Sequence, residues 1–310
     1  MPTFPFVHVS FALAEETSRL AWDAFVRDVF APVTMYEVLT TPETERLKLD
    51  RHQTLLAIGN TVVYAAAPAG AGLSSESVIG GTLRALAAQD AWVGVAIGVA
   101  DLDAARAWVR ERGWEPRSYP LLADRYFLVD RGEILGLRLE FLTGVLDNDP
   151  RLKPGWDPGW WTDRHPLGLE GLQSIGVSTQ SLAAAREIFG EKLGWTEIAR
   201  RTTPEARCAS FLVGDAVVEA MEPIDPTSAL AEHARAVRGI WGLTFQVRSA
   251  SAAADYLRSK GLELIGDPQA RFAIDPRQAF GRRLWFTDER LDGYPQIPIP
   301  HLVDRFSDLS

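Results

Sequence analysis

The stretch that decides the fold is His165–Trp195, HPLGLEGLQSIGVSTQSLAAAREIFGEKLGW. Leu172 to Val177 alternates as a half-buried strand does. The polar break Ser178 to Ser181 can cap a helix. Leu182, Ala185, Ile188 and Phe189 then fall on one helical stripe, and Gly194 sits where a left-handed residue commonly closes a helix. The rest of the chain reads as variations on this strand–helix–strands unit.

Working outward, the N-terminal run FVHVSFAL is an alternating strand. Glu15 and Glu16 suit the start of the helix that follows. Ala21, Trp22, Phe25, Val26, Val29 and Phe30 form its apolar stripe, and Pro32 stops it. Strands are expected at Thr34–Leu39, Thr54–Ile58 and Val62–Ala66, the last two joined by a Gly59-Asn60 turn. A connection with a short helix from Ser77 to Ala88 leads to a second unit, WVGVAIGV. There Asp101 is the cap, and Leu102, Ala105, Trp108, Val109 and Gly113-Trp114 repeat the offsets of Leu182, Ala185, Ile188, Phe189 and Gly194-Trp195. Strands at Tyr126–Val129 and Leu137–Leu142 complete that unit. Residues 145–166, with Trp156, Trp160 and Trp161, read as a linker whose indoles pack between domains.

Beyond the deciding stretch, strands are expected at Glu197–Arg200, Ala206–Val213 and Val217–Met221, with a Gly214-Asp215 turn. A helical connector, Ser228–Val237, leads to the fourth unit. That unit opens on GLTFQV, carries a helix over Ser251–Ser259 and closes on Arg283–Thr287. The tail from Asp292 is Pro-rich and expected to be irregular. The expected fold is therefore α+β, with four βαβββ modules paired into two open barrel-like clefts. The expected domains are residues 1–150 and 165–310. One such unit has too few strands to bury both of its faces, which is why it needs a partner.

Composition narrows the function classes. The chain has 310 residues, 46% hydrophobic and 24% charged, normal for a globular protein with a sizeable core. A net charge of −9 argues against nucleic-acid and anionic-membrane surfaces. The single cysteine, Cys208, excludes an intramolecular disulfide and a cysteine-based zinc cluster, and its apolar setting ARCASFLV marks a buried, inert thiol. The N-terminal residues MPTFPFVHVSF lack the pattern of a signal peptide, and no apolar run is long enough to span a bilayer. A cytoplasmic protein acting on a small molecule, monomeric or homodimeric, is the expectation. Neither phosphate-loop pattern, GxxxxGK[ST] or GxGxxG, is present.

The opening strand VHVSFAL, the helices ending at LGW and RGW, and the late strand VVEAMEP resemble the vicinal oxygen chelate superfamily, which includes glyoxalase I, extradiol dioxygenases and bleomycin resistance proteins. The third unit carries the resemblance most clearly, the second well, the first and fourth more loosely. The resemblance implies paired modules around a cleft. It also implies metal ligands at the first and last strands of each module, where inward-pointing side chains meet. In this chain those places hold His8, Tyr64, Gly94 and Glu140 in the first half, and Ser174, Glu219, Gly242 and Trp285 in the second. Each half departs from a full ligand set, so no metal residue is assigned. A divalent metal (Fe, Mn or Zn), if there is one, would be held incompletely by His8 and Glu140.

His8, Glu140 and Tyr64 are the candidate catalytic residues. Imidazole is the side chain best matched to proton transfer at neutral pH. Glu140 lies in the apolar strand GLRLEFLTG, and in a dry cleft its pKa is expected to rise, as suits a general base. Tyr64 either orients a substrate oxygen or serves as a cleft wall. Ser174, Glu219 and Trp285 are candidate ligand-binding residues, with an ion pair to an arginine as the alternative for Glu219. Two functions stay open. One is a glyoxalase- or dioxygenase-like enzyme (lyase, isomerase or dioxygenase) acting on a small oxygenated molecule, aromatic or carbonyl-bearing. The other is metal-free sequestration of a small molecule, as in bleomycin resistance proteins.

Overall fold

The computed structural model describes residues 6–38, 51–69, 92–118, 123–143, 150–214 and 216–294. The helix expected at 77–88, Asp215 of the expected turn and the tail after residue 294 lie outside them. The first module is β1 (Phe6–Ala12), α1 (Glu16–Phe30), β2 (Val33–Val38), β3 (Arg51–Ile58) and β4 (Thr61–Pro68). The second is β5 (Trp92–Val99), α2 (Leu102–Glu111), β6 (Tyr126–Val129) and β7 (Leu139–Thr143). The third is β8 (Leu169–Ser178), α3 (Leu182–Ala185, continuing as a π-helix over Arg186–Lys192), β9 (Thr196–Thr202), β10 (Ala206–Val213) and β11 (Ala216–Pro223). Helix α4 (Ala229–Ala236) connects it to β12 (Gly239–Val247), α5 (Ala250–Ser259), β13 (Leu264–Asp267), β14 (Arg271–Ile274) and β15 (Arg283–Thr287).

The local signals work as their chemistry requires. The Asp101 carboxylate accepts hydrogen bonds from the Asp103 and Ala104 amides at 2.9 Å, capping α2. Ser181 Oγ accepts from the Ala184 amide at 3.3 Å and caps α3. Three features went beyond the sequence reading. Strands β13 and β14 have no strong pattern, because β13 is a short edge strand with three of its four residues exposed. Helix α3 widens into a π-helix after its first turn, which carries Phe189 onto both Trp195 and Phe211. The linker holds a 3-10 turn (Pro150–Leu152) and a short π-helical turn (Trp160–Arg164).

The strands form two sheets, β2-β3-β4-β1-β5-β7-β6 and β13-β14-β15-β12-β8-β11-β10-β9. In each, the first strands of two modules pair antiparallel at the centre, β1 with β5 and β8 with β12. The last strand of each module lies parallel beside its first. This arrangement is α+β, with paired modules curling each sheet into an open barrel-like cleft. One face of each sheet packs on the helices in a core that includes Phe11, Trp22, Phe141, Phe189, Phe211 and Phe245. The other face of the N-terminal sheet carries Met35, Leu55, Val62, Tyr64 and Val93. The matching face of the C-terminal sheet carries Cys208, Met221 and Trp241, with Leu230 of α4 packed on it. The halves also pack on each other: Trp22 lies against Phe280, Phe30 against Phe245 and Phe286, and Trp161 Nε1 donates to the Phe30 carbonyl at 2.8 Å.

Candidate functional site

Strand register decides which side chains share a cleft, because directly opposed residues point to one face. His8 opposes Ala96, and Ala96 opposes Glu140. Ser10 opposes Gly94 on one side and Tyr64 on the other. His8, Ser10, Tyr64, Gly94 and Glu140 therefore occupy one face of the N-terminal sheet. A local two-fold through the Val9–Val95 pair relates His8 to Gly94 and Tyr64 to Glu140. The C-terminal sheet repeats the pattern: Ser174 opposes Thr244, which opposes Trp285, and Gly176 opposes Gly242 and Glu219. The eight positions singled out in the sequence are thus equivalent between halves.

In the first half the structure brings the candidates together. His8 Nε2 lies 3.4 Å from Glu140 Oε2, with both side chains buried. The contact is an ion-pair approach rather than an aligned hydrogen bond, and both ring nitrogens of His8 lack a hydrogen-bond partner. The Tyr64 ring meets the His8 ring edge-on, with centroids 5.0 Å apart. Arg138, two residues before Glu140 and hence on the same face, places Nε 3.5 Å from Glu140 Oε1. The expectation for the Glu140 pKa is corrected here. Burial pushes this carboxyl up, but the His8 imidazole, the Arg138 guanidinium and the Tyr126 hydroxyl outweigh burial and hold it below the ordinary value. Glu140 is therefore ionised at neutral pH. Burial, and then the Glu140 charge, push the Tyr64 phenol up to about 12, so Tyr64 is a neutral donor.

This donor set does not fit a divalent metal. One carboxylate oxygen faces His8 and the other faces a guanidinium, which repels a cation. Among the described residues no group of three His, Cys, Asp or Glu side chains is placed to hold one. Gly94 shows why no ligand occupies its place. A Cβ there would stand 2.4 Å from the Arg138 carbonyl oxygen, which accepts the Val95 amide at 3.0 Å. Gly242 is closed in the same way by the Arg283 carbonyl at 2.6 Å.

In the second half Glu219 is buried and accepts two hydrogen bonds from Arg201, at 2.7 and 2.9 Å. The arginine pairing left open by the sequence is therefore present. Ser174 and Trp285 are buried on the same face, and the Arg271 guanidinium lies over the Trp285 ring at 4.4 Å. Cys208 is buried there too, its thiol pushed up to about 12 by burial and then by Glu219. The remaining described histidines serve local structure. His233 Nδ1 pairs with Ser178 Oγ at 2.7 Å, His165 Nδ1 accepts the Leu167 amide at 3.3 Å, and His52 Nδ1 is 3.2 Å from Glu16. Arg138, Arg201 and Arg271 were not singled out in the sequence. Arg138 was legible by its spacing from Glu140, whereas Arg201 and Arg271 reach their partners from other strands.

Residues 171–294 match the family model of the Glyoxalase/Bleomycin resistance protein/Dioxygenase superfamily. The C-terminal half belongs to that superfamily. A mutant of 4-hydroxymandelate synthase from Streptomyces coelicolor matches over 99% of each chain, with a TM-score of 0.65 at 14% identity, so the whole four-module chain shares this glyoxalase-like fold. Methylmalonyl-CoA epimerase from Mycobacterium tuberculosis is 24% identical over 38% of this chain and 87% of its own, with a TM-score of 0.36. The epimerase from Streptomyces coelicolor is 19% identical over 38% of this chain and 96% of its own, also at 0.36. No curated protein matches the chain. No helix among the described residues is long and apolar enough to cross a membrane.

Proposed function

We propose that this glyoxalase-like chain is a metal-independent enzyme that moves a proton on a small carbonyl compound, in the manner of an isomerase or lyase, within its N-terminal cleft. The observation that carries the reading is the buried His8–Glu140 pair, 3.4 Å apart, with both imidazole nitrogens unpartnered. The roles differ from the first expectation. Ionised Glu140 stabilises and orients the imidazole, and His8 is the group that takes the proton from the carbon beside the carbonyl. Tyr64, kept neutral by burial, donates to the oxygen that gains charge as the enolate forms. Return of the proton from His8 to another carbon completes an isomerisation; in an elimination the enolate re-forms its carbonyl as the leaving group departs with its bonding electron pair, and His8 passes its proton to that group. The substrate class rests on the chemistry these three groups supply.

The test is proton exchange in D2O, followed by NMR, across a panel of 2-oxo acids and 1,3-dicarbonyl compounds. At least one compound should exchange its acidic C–H faster with protein present. His8→Ala and Glu140→Gln should each slow that exchange by about a hundredfold to ten-thousandfold. No exchange across the panel, or exchange that survives both substitutions, would overturn the proposal.

A further inference from the structure

Ser10 has no part in the proton transfer assigned to His8, Glu140 and Tyr64. Its position is set by strand register. Ser10 opposes Tyr64 on β4 and Gly94 on β5, so the three form one row on the cleft face. His8 lies two residues before Ser10 on the same strand and face, with its ring edge-on to Tyr64. The alternate residues of β1, Val9 and Phe11, enter the core instead. Ser10 is fully buried, and its Oγ has no hydrogen-bond partner. A buried hydroxyl left unmet lowers stability, so packing alone does not account for a serine in place of alanine.

The Tyr64 phenol shows what that hydroxyl stands beside. Burial, and then the Glu140 charge, push the phenol up, while Arg51, the Ser10 hydroxyl and Arg138 pull it down. Ser10 is therefore close enough to act on the phenol, yet its Oγ is not aligned with it as donor and acceptor. Two neighbouring hydroxyls that do not bond each other leave both protons available to a third atom. On its other flank, Gly94 brings no side chain, so β5 offers no competitor for the Ser10 proton. An oxygen set between the two hydroxyls, beside the His8 ring, accepts from both.

We propose that Ser10 is a further catalytic residue, the second donor of a two-hydroxyl oxyanion site formed with Tyr64, a role that rests on the proton transfer assigned to His8 and Glu140. As His8 takes the proton from carbon, the C–H electron pair forms the new C=C bond and the carbonyl π pair moves onto oxygen. That oxygen accepts one hydrogen bond from Tyr64 and one from Ser10. Neither residue forms a covalent bond or gives up its proton. The imidazolium formed on His8 faces the Glu140 carboxylate, while the enolate oxygen meets donors. In a buried site no water competes for those donors, which strengthens them as charge develops. The Ser10 hydroxyl is thus unsatisfied in the resting protein and satisfied as the enolate forms, so its interaction favours the transition state over the ground state.

Ser10→Ala separates this role from packing. The hydroxyl has no partner to lose, so Ser10→Ala should keep or raise the Tm. In the D2O exchange assay it should slow exchange about tenfold to a hundredfold, with kcat falling and KM little changed, and Tyr64→Phe should act alike. The two substitutions together should slow exchange more than either alone. A second measurement needs no turnover. The probe is 1,3-cyclohexanedione, an enolate at neutral pH, titrated into the full-length protein while its ultraviolet absorption is followed. The band of the bound enolate should shift as its oxygen accepts hydrogen bonds, and Ser10→Ala and Tyr64→Phe should each remove part of the shift. Exchange that needs His8 and Glu140 but is unchanged in Ser10→Ala would overturn the inference and leave the proton-transfer reading intact. A Tm that falls in Ser10→Ala, an enolate that fails to bind, or a band that ignores Ser10→Ala would overturn it as well. A Ser10-dependent band shift without catalysed exchange would overturn the proton-transfer reading and leave the two-hydroxyl site standing.

Discussion

At the residue scale, the two clefts treat a buried carboxylate in opposite ways. Glu219 is closed into a two-point pair with Arg201, whereas Glu140 shares looser contacts with His8 and Arg138. Removing one partner of a closed buried pair leaves a bare charge, at about 3–5 kcal/mol, while replacing both partners is far milder. Arg201→Gln should therefore destabilise the protein by that amount in urea unfolding, and Arg201→Gln with Glu219→Gln should recover most of the loss. If the double variant is no better than the single, Glu219 is stabilised by something other than Arg201. Glu140 gives a pH signature instead. Its folded pKa lies below the ordinary value of 4.5, so its contribution to stability is fully present above about pH 4.5 and is lost as pH falls through the folded value. The Tm gap between the wild type and Glu140→Gln should be widest near neutral pH and narrow below pH 4.5. A gap that widens on acidification would mean that burial dominates, with the folded pKa raised.

At the element scale, the departure from a metal-ligand set has a packing cause. The second module of each half begins on a strand pressed so closely against its neighbour that only glycine fits, at Gly94 and Gly242. Gly94→Ala should cost about 1–3 kcal/mol as an overpacked site, and Gly94→His should lower stability without creating metal affinity. Guanidinium chloride unfolding with metal titration checks both, and an unchanged midpoint for Gly94→Ala would show that β5 and β7 can part. The modules themselves were legible because capped helices and alternating strands recur at fixed offsets, as at Asp101 and Ser181. Glycine at the ligand places was visible in the sequence, but its reason was not, because the blocking atom is a backbone carbonyl far along the chain, at Arg138 for Gly94 and at Arg283 for Gly242. The His8–Glu140 pairing came from knowing where the strands of such a fold converge. The direction of the Glu140 pKa did not, since it depends on how closely His8, Arg138 and Tyr126 gather around the buried carboxylate. The short strands β13 and β14 left no pattern to read: β13 is an exposed edge strand that need not alternate, and β14 is a largely buried run of four residues with no alternation. The consequence was that Arg271, which β14 carries, was missed with them.

At the scale of the whole molecule, the two sheets are joined by a shared aromatic core and not by a tether alone. Helix α1 of the first half inserts Phe30 against Phe245 and Phe286 of the second, and Trp22 against Phe280. Around this contact, Tyr256 donates to the Asp28 and Val29 carbonyls at 3.1 Å, Lys260 pairs with Asp28 at 2.6 Å, and Trp161 bridges from the linker to the Phe30 carbonyl. An interface of this kind couples the halves, because either half unfolding alone would strip the other of buried aromatic surface. Phe30 is fully buried, so Phe30→Ala opens a cavity worth about 3–5 kcal/mol. In the wild type, calorimetry should show one cooperative transition. Phe30→Ala should lower both halves together or split the transition in two. If Phe30→Ala lowers only an N-terminal transition, the halves are energetically independent and the shared core is mere contact.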